Sequence, residues 1–403
     1  MTMWLLTKVA SRAVSLSISS SSSNRCVLKE TTRAVSIVFF HPLQNTPQPT
    51  TTKSSSDGRR WFSSSRRALH RVDSSASSST SSSADALLEV VLLGIPSDVN
   101  SSFLRGSALA PPLICQALHS DATNSWSESP SMDILQDPNF IVDGGDITID
   151  ASLSSITPAS HFEQIQTKVS EVLLSGPTTS NKKKTRRILS LGGDHSITYP
   201  ILTTEAFAQH HGIRPKHPLT ILHLDAHPDL YHNFQDNPYS HASPFARLLE
   251  ASLENNNNNN NKNNSDDDTS CLVIGRLIQV GIRTMNDHQR EQANKFGMVE
   301  VVTMATLEER HFDATLAAIK GIKGPLYLSL DVDVLDPAFA PGVSHPEPGG
   351  LSVRQVLQMI QAVRAPLIGA DVIEYNPDCD VQGMTACVAA KLVKEIAAKM
   401  LTT

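Results

Sequence analysis

Cysteine is scarce in this chain: Cys26, Cys115, Cys271, Cys379 and Cys387 are the only five among 403 residues. The number is odd and no two stand at CxxC spacing, which argues against a disulfide framework or a zinc ribbon and fits a reducing compartment. Long apolar runs are also missing. No uninterrupted stretch approaches the roughly 20 residues of a membrane-crossing helix, so no membrane partner is expected. Neither GxGxxG nor GKS/T follows a strand, and Gly349-Gly350 does not match a phosphate-cradling loop. Acidic residues are absent before Glu30.

That last absence marks a boundary. Residues 1–84 hold eleven Lys or Arg and only Glu30, Asp57 and Asp73 as acids, a net +8 that leaves −14 on the rest of a chain totalling −6. A Ser- and Arg-rich leader of this kind has the composition of an organellar transit peptide. Arg60-Trp61-Phe62-Ser63 resembles a mitochondrial processing site cut after Phe62. Mitochondrial import is therefore expected, with the plastid as second choice, and the mature chain should begin between Ser63 and Ala86. The acidic remainder, 85–403, argues against nucleic acid as a partner. It favours encounter with a small cation.

Within 85–403 the pattern alternates. Apolar strands are expected at Leu87–Pro96, Phe140–Asp146, Ile188–Leu191, Leu219–Leu224, Leu277–Gly281, Val299–Val302, Leu326–Leu330 and Pro366–Val372. Helices are expected between them, at Pro112–His119, Ser160–Leu174, Tyr199–His211, Ser243–Leu253, Leu307–Ile319, Val353–Val363 and Met384–Met400. The Asn/Asp tract 255–268 cannot bury apolar area and is expected to be disordered. Strands alternating with helices predict one three-layer α/β domain around a parallel sheet.

Three of the strands end in metal-competent side chains. Ile188–Leu191 runs into Gly192-Gly193-Asp194-His195, and Leu219–Leu224 into Asp225-Ala226-His227-Pro228-Asp229. Leu326–Leu330 runs into Asp331-Val332-Asp333. Period-two spacing directs Asp225, His227 and Asp229 to one side, and ligands of parallel sheets gather at the carboxyl ends of strands. The candidates are four carboxylates and two imidazoles with no thiolate, a set that suits Mn²⁺ better than structural zinc or calcium. Six ligands exceed the need of one catalytic ion with open positions; two ions about 3.5–4 Å apart use them all.

Gly-Gly-Asp-His, Asp-Ala-His-Pro-Asp and Ser-Leu-Asp-Val-Asp-Val-Leu-Asp-Pro resemble the three signatures of the ureohydrolase superfamily. Asn237-Pro-Tyr-Ser-His-Ala-Ser, Asp336-Pro-Ala-Phe-Ala-Pro-Gly-Val-Ser-His and Gly369-Ala-Asp-Val-Ile-Glu-Tyr-Asn-Pro are most similar to its plant-type arginases, and the likeness runs from about Leu92 to Met400. The resemblance implies an arginase-type fold with an eight-stranded parallel sheet, two Mn²⁺ per subunit and a homotrimer or homohexamer. It implies that one ion takes His195, Asp225, Asp229 and Asp331, and the other Asp225, His227, Asp331 and Asp333. Asp229 also counts among the catalytic residues, with Glu374 matching the guanidinium-binding Glu and His241 the proton-shuttling His. Asp194 and Asp336 are expected to support ligands or turns, His223 to be a packed core residue, and His345 to border the pocket. The expected reaction is hydrolysis of L-arginine to ornithine and urea, with agmatine or another guanidino compound as the alternative substrate. The loop Tyr231–His241 departs from the Thr-Ser-Gly-Asn-type run of animal enzymes. Its His232, Asn233, Gln235 and Asn237 are expected to supply donors for the α-carboxylate.

Overall fold

The computed structural model describes residues 88–137, 140–149, 158–175, 185–261, 270–309 and 312–403. The leader, its cleavage site and the second half of the Asn/Asp tract lie outside these.

Eight parallel strands form the central sheet: β1 (Leu88–Gly94), β4 (Ile141–Asp146), β5 (Thr185–Leu191), β6 (Leu219–Leu224), β7 (Ile274–Ile282), β8 (Val299–Thr303), β9 (Leu326–Asp331) and β10 (Leu367–Ile373), in the order β4-β1-β5-β10-β9-β6-β7-β8. A short antiparallel hairpin, β2 (Trp126–Glu128) with β3 (Ser131–Asp133), stands apart and had no clear sequence signal. In the first half of the chain the helices are α1 (Ala110–Leu118), α2 (Pro158–Leu174), α3 (Thr198–Thr203), α4 (Glu205–His211) and α5 (Pro244–Asn261). The second half adds α6 (Asp287–Phe296), α7 (Met304–Glu309), α8 (Phe312–Lys320), α9 (Val353–Ala362) and α10 (Met384–Thr402).

Both sheet faces are covered, so the central strands are apolar at nearly every position. Along β9, Leu326, Leu328 and Leu330 enter one core, shared with residues of α1, α9 and α10, while Tyr327 enters the other, shared with α2, α4 and α5. The eight-stranded parallel sheet and the three layers are as the sequence implied.

Two local expectations are corrected. The single helix expected over Tyr199–His211 is two, because Thr204 adopts extended backbone (φ −64°, ψ 122°) between them. Of the helix expected over Leu307–Ile319, the described parts are helical in α7 and α8, and Arg310 and His311 lie outside the described residues. The helix ending at Leu253 continues to Asn261, into the tract expected to be disordered, and Asn255 Nδ2 donates to the Leu272 carbonyl at 3.0 Å. Helical hydrogen bonding needs no apolar side chain, only an uninterrupted run of backbone donors and acceptors. Residues 262–268 of the tract lie outside the described ones.

Candidate metal centre and substrate cleft

Four adjacent central strands, β5, β10, β9 and β6, end level with one another: Leu191 pairs with Val372, Ile373 with Asp331, and Leu224 with Leu330. That register brings His195, Glu374, Asp331 and Asp225 to one rim. Gly193 shapes the β5 exit. It has φ +83°, and a Cβ there would lie 2.7 Å from the carbonyls of Ile95 and Ser97. Asp229 (φ 49°) and Glu374 (φ 61°) also adopt left-handed backbone, a costly conformation for non-glycine residues that tends to gather at functional sites.

All six candidate ligands meet there. Asp225 Oδ2, Asp229 Oδ2 and Asp331 Oδ2 lie 3.2, 2.8 and 3.5 Å from His195 Nδ1. Asp333 Oδ2 and Asp225 Oδ1 lie 3.0 and 3.5 Å from His227 Nδ1. Asp225 thus turns one oxygen to each imidazole. Three of the carboxylates are anchored by backbone donors: His227 N to Asp225 Oδ1 (2.6 Å), Asp333 N to Asp331 Oδ1 (2.8 Å) and Ala226 N to Asp333 Oδ1 (3.1 Å).

The tautomers identify which atoms can hold a cation. Asp371 accepts from Ser329 Oγ at 2.7 Å, so Ser329 in turn accepts the proton of His195 Nε2 at 3.0 Å. His195 Nδ1 is left a buried lone pair with no hydrogen-bond partner, facing three carboxylates. Acceptors converging on an acceptor call for a cation between them. The electrostatics favour a positive charge at this position, which a proton on His195 Nδ1 supplies where no metal ion does. Burial opposes charge on His195, yet Asp225, Asp229 and Asp331 more than offset it and hold its pKa well above the ordinary value. Burial, Asp333 and Asp225 push Asp331 well above the carboxylate range. Burial and Asp225 push Asp333 up to about 6.

His223 is also within reach of the cluster. However, Gln279 Nε2 donates to its Nδ1 (3.0 Å) and to the Pro228 carbonyl (2.6 Å), so His223 Nε2 carries the proton it gives to Asp225 Oδ2 at 2.7 Å. It orients a carboxylate and packs on Phe245, as a core histidine would. Asp194 accepts from Asn100 N and Ser196 N, both at 3.0 Å, and Asp336 accepts from Ala338, Gly349 and Gly350 backbone donors. Both hold turns.

Beside the cluster, Glu374 Oε1 accepts from His195 N (2.9 Å) and pairs with His241 Nδ1 (3.0 Å). Burial disfavours the imidazolium of His241, but Glu374 outweighs it and the pKa is pushed up to about 9. His241 Nε2 lies 2.8 Å from Ser102 Oγ. A cleft of about 170 Å³ opens over these groups, lined also by Tyr231, Phe234, Thr284, Gln289 and His345.

The cleft corrects one expectation. His232, Asn233, Gln235 and Asn237 do not line it. Instead His232 lies 3.2 Å from Glu250, and Asn237 Nδ2 donates to Asn100 Oδ1. Tyr231 and Phe234 are what that loop contributes to the cleft. Ser102, Thr284 and Gln289 escaped sequence reasoning because they belong to three separated segments without a signature of their own.

Fold and rim together define the class, an α/β protein whose eight-stranded parallel sheet carries clustered His and Asp side chains at its rim. Residues 88–398 match the model of the Arginase family. "Arginase 1, mitochondrial" of Arabidopsis thaliana is 41% identical over 310 residues, covering 77% of this chain and 80% of the relative. An agmatinase of Chromobacterium violaceum is 30% identical over 311 residues, 76% and 81% of the two chains. The solved structure titled "Arginase from Medicago truncatula" superposes with a TM-score of 0.64 at 40% identity, over 78% of this chain and 88% of that one. The chain belongs to the arginase family and is an arginase-like ureohydrolase. The mitochondrial naming of the Arabidopsis relative agrees with the destination read from the leader. Among the described residues no helix is long and apolar enough to cross a membrane.

Proposed function

We propose that this chain hydrolyses L-arginine to ornithine and urea with two Mn²⁺ ions per subunit. The carrying observation is the His195 Nδ1 lone pair aimed at three carboxylates, with a second imidazole–carboxylate group sharing Asp225. His195, Asp225, Asp229 and Asp331 would hold one ion, and Asp225, His227, Asp331 and Asp333 the other. When bound, two such cations supply hydroxide from water near neutral pH.

The chain's own residues do the rest. Glu374 accepts guanidinium N–H groups and holds the carbon in line for attack, a task suited to a carboxylate facing a planar, delocalised cation. Asp229 orients the attacking oxygen beside His195. As the C–N bond breaks, His241 gives its proton to the departing amine. With its pKa at about 9 the imidazolium is present at neutral pH. The product amine leaves as ornithine, and the hydrated guanidinium carbon leaves as urea.

Agmatine is the alternative substrate, supported by the agmatinase relative, but the arginase is the nearer of the two by identity. A homotrimer or homohexamer is proposed from family membership alone. Urea release by Mn²⁺-loaded protein from arginine, agmatine and 4-guanidinobutyrate tests the reading. Arginine should give the highest kcat/KM. Preferential consumption of agmatine would overturn the arginine assignment, and no urea from any would overturn the chemistry.

A further inference from the structure

His241 has both ring nitrogens occupied. Nδ1 lies 3.0 Å from Glu374 Oε1, and Nε2 lies 2.8 Å from Ser102 Oγ. In the imidazolium both nitrogens carry protons, so both donate, one to the carboxylate and the other to the serine hydroxyl. Neither N–H is left to face the cleft. A hydroxyl that accepts on its oxygen still keeps its own proton to give, and Ser102 lines the cleft. The polar hydrogen next in line between His241 and a bound substrate therefore belongs to Ser102.

The loop that carries Ser102 is fastened from several sides. Two residues earlier, Asn100 is buried, with its backbone N–H and C=O and both polar atoms of its side chain engaged. Its N–H donates to Asp194 Oδ2 (3.0 Å) and its Nδ2 to Ser196 Oγ (3.1 Å), the residues on either side of His195. Its carbonyl accepts from His241 N (3.2 Å), and its Oδ1 accepts from Asn237 Nδ2 (3.0 Å). Ser101 Oγ adds a bond to Asp194 Oδ2 at 3.3 Å. Asn100 thus ties the Ser102 loop to the exit of β5 and to the loop bearing His241. That tie holds Oγ against the ring nitrogen opposite the one that Glu374 holds.

We infer that Ser102 is the hydroxyl through which the proton of His241 reaches the departing amine, with Asn100 as its positioning residue. This rests on the hydrolysis proposed above and adds a residue to it. As the C–N bond breaks, its electron pair stays on the nitrogen and takes the Ser102 Oγ proton. Ser102 Oγ in turn takes the Nε2 proton of His241. The serine ends as it began, the imidazole is left neutral, and the amine departs with one more hydrogen. Help of this kind matters more the more basic the leaving group is.

The test compares arginine with canavanine, in which an oxygen replaces the methylene next to the departing nitrogen. The rest of the tail is unchanged, but the leaving group is an alkoxyamine, far less basic than an alkylamine. In the Mn²⁺-loaded full chain, Ser102→Ala should lower kcat for arginine by about 10–10²-fold, leave KM within about threefold, and lower kcat for canavanine by less than about threefold. Asn100→Ala should give the same split by a smaller factor, and it carries the test should Ser102→Ala not fold. His241→Ala should give it at least as strongly as Ser102→Ala. Equal losses on the two substrates in Ser102→Ala, or no loss on arginine, would overturn the inference. A split seen only in His241→Ala would likewise overturn it, showing that His241 gives its proton directly, while the hydrolysis reading stands. Urea from neither substrate with the wild type would overturn both.

Discussion

The base and the wall of the same cleft obey different rules. At the base, His195, Asp225, Asp331 and Glu374 leave four neighbouring strands in register, and backbone N–H groups lock three of the carboxylates. On the wall, Ser102, Phe234, Thr284 and Gln289 come from loops and one helix start, each positioned by its own local hydrogen bonds or packing. The base sets the chemistry through geometry that the sheet enforces. On the proposed function the wall would meet the rest of the substrate, through side chains that can change without disturbing the sheet.

The contrast breaks most visibly at Asp225. On the proposed two-cation reading, Asp225→Asn should weaken both cation positions at once, so kcat should fall by about 10²–10³-fold or more together with metal content. Elemental analysis and turnover are read on the same preparation. Full occupancy with near-normal turnover would mean that Asp225 is not shared.

A smaller effect is expected at the junction of base and wall, where Glu374 meets His241. If His241 is the proton donor proposed above, it serves only while protonated, so wild-type activity should decline as pH rises through about 9. Glu374→Gln removes the carboxylate that offsets burial, so that alkaline limb should move to lower pH. Loss of a charged partner for the guanidinium should cost about 10–10²-fold in kcat/KM as well. A limb that stays in place would assign it to another group.

The smallest effect lies far from either region. Asn255→Ala removes the hydrogen bond to the Leu272 carbonyl at the far end of α5 and should cost about 0.5–1.5 kcal/mol in unfolding free energy with unchanged kcat/KM. Chemical denaturation and urea release check the two halves of that statement.

The same division explains what the sequence made legible. Buried parallel strands read as apolar runs, and a run such as Leu219–Leu224 that stops at Asp225-Ala226-His227 declares both the strand and its rim position. The six ligand candidates, Glu374 and His241 were visible for that reason or by resemblance, and the structure places them together. The polar support beneath them was not. Ser329 and Asp371 read as interruptions of apolar strands, and only pairing across β9 and β10 shows that they fix the tautomer of His195. The break at Thr204 was hidden because both α3 and α4 continue the same apolar periodicity. Gln289 reads as an ordinary helix-start residue, since nothing local to the sequence reveals that it lines the cleft. The loop polars His232 and Gln235 were misassigned because hydrogen-bonding capacity in a sequence carries no direction.

The most direct test of the two-cation base is a titration of metal-free full chain with Mn²⁺, following bound ion per subunit and urea release from arginine together. Activity should rise with binding and reach its plateau at two ions per subunit, with Asp225→Asn failing to reach either. Full urea release from the metal-free protein, or a plateau in turnover at one ion per subunit, would contradict it.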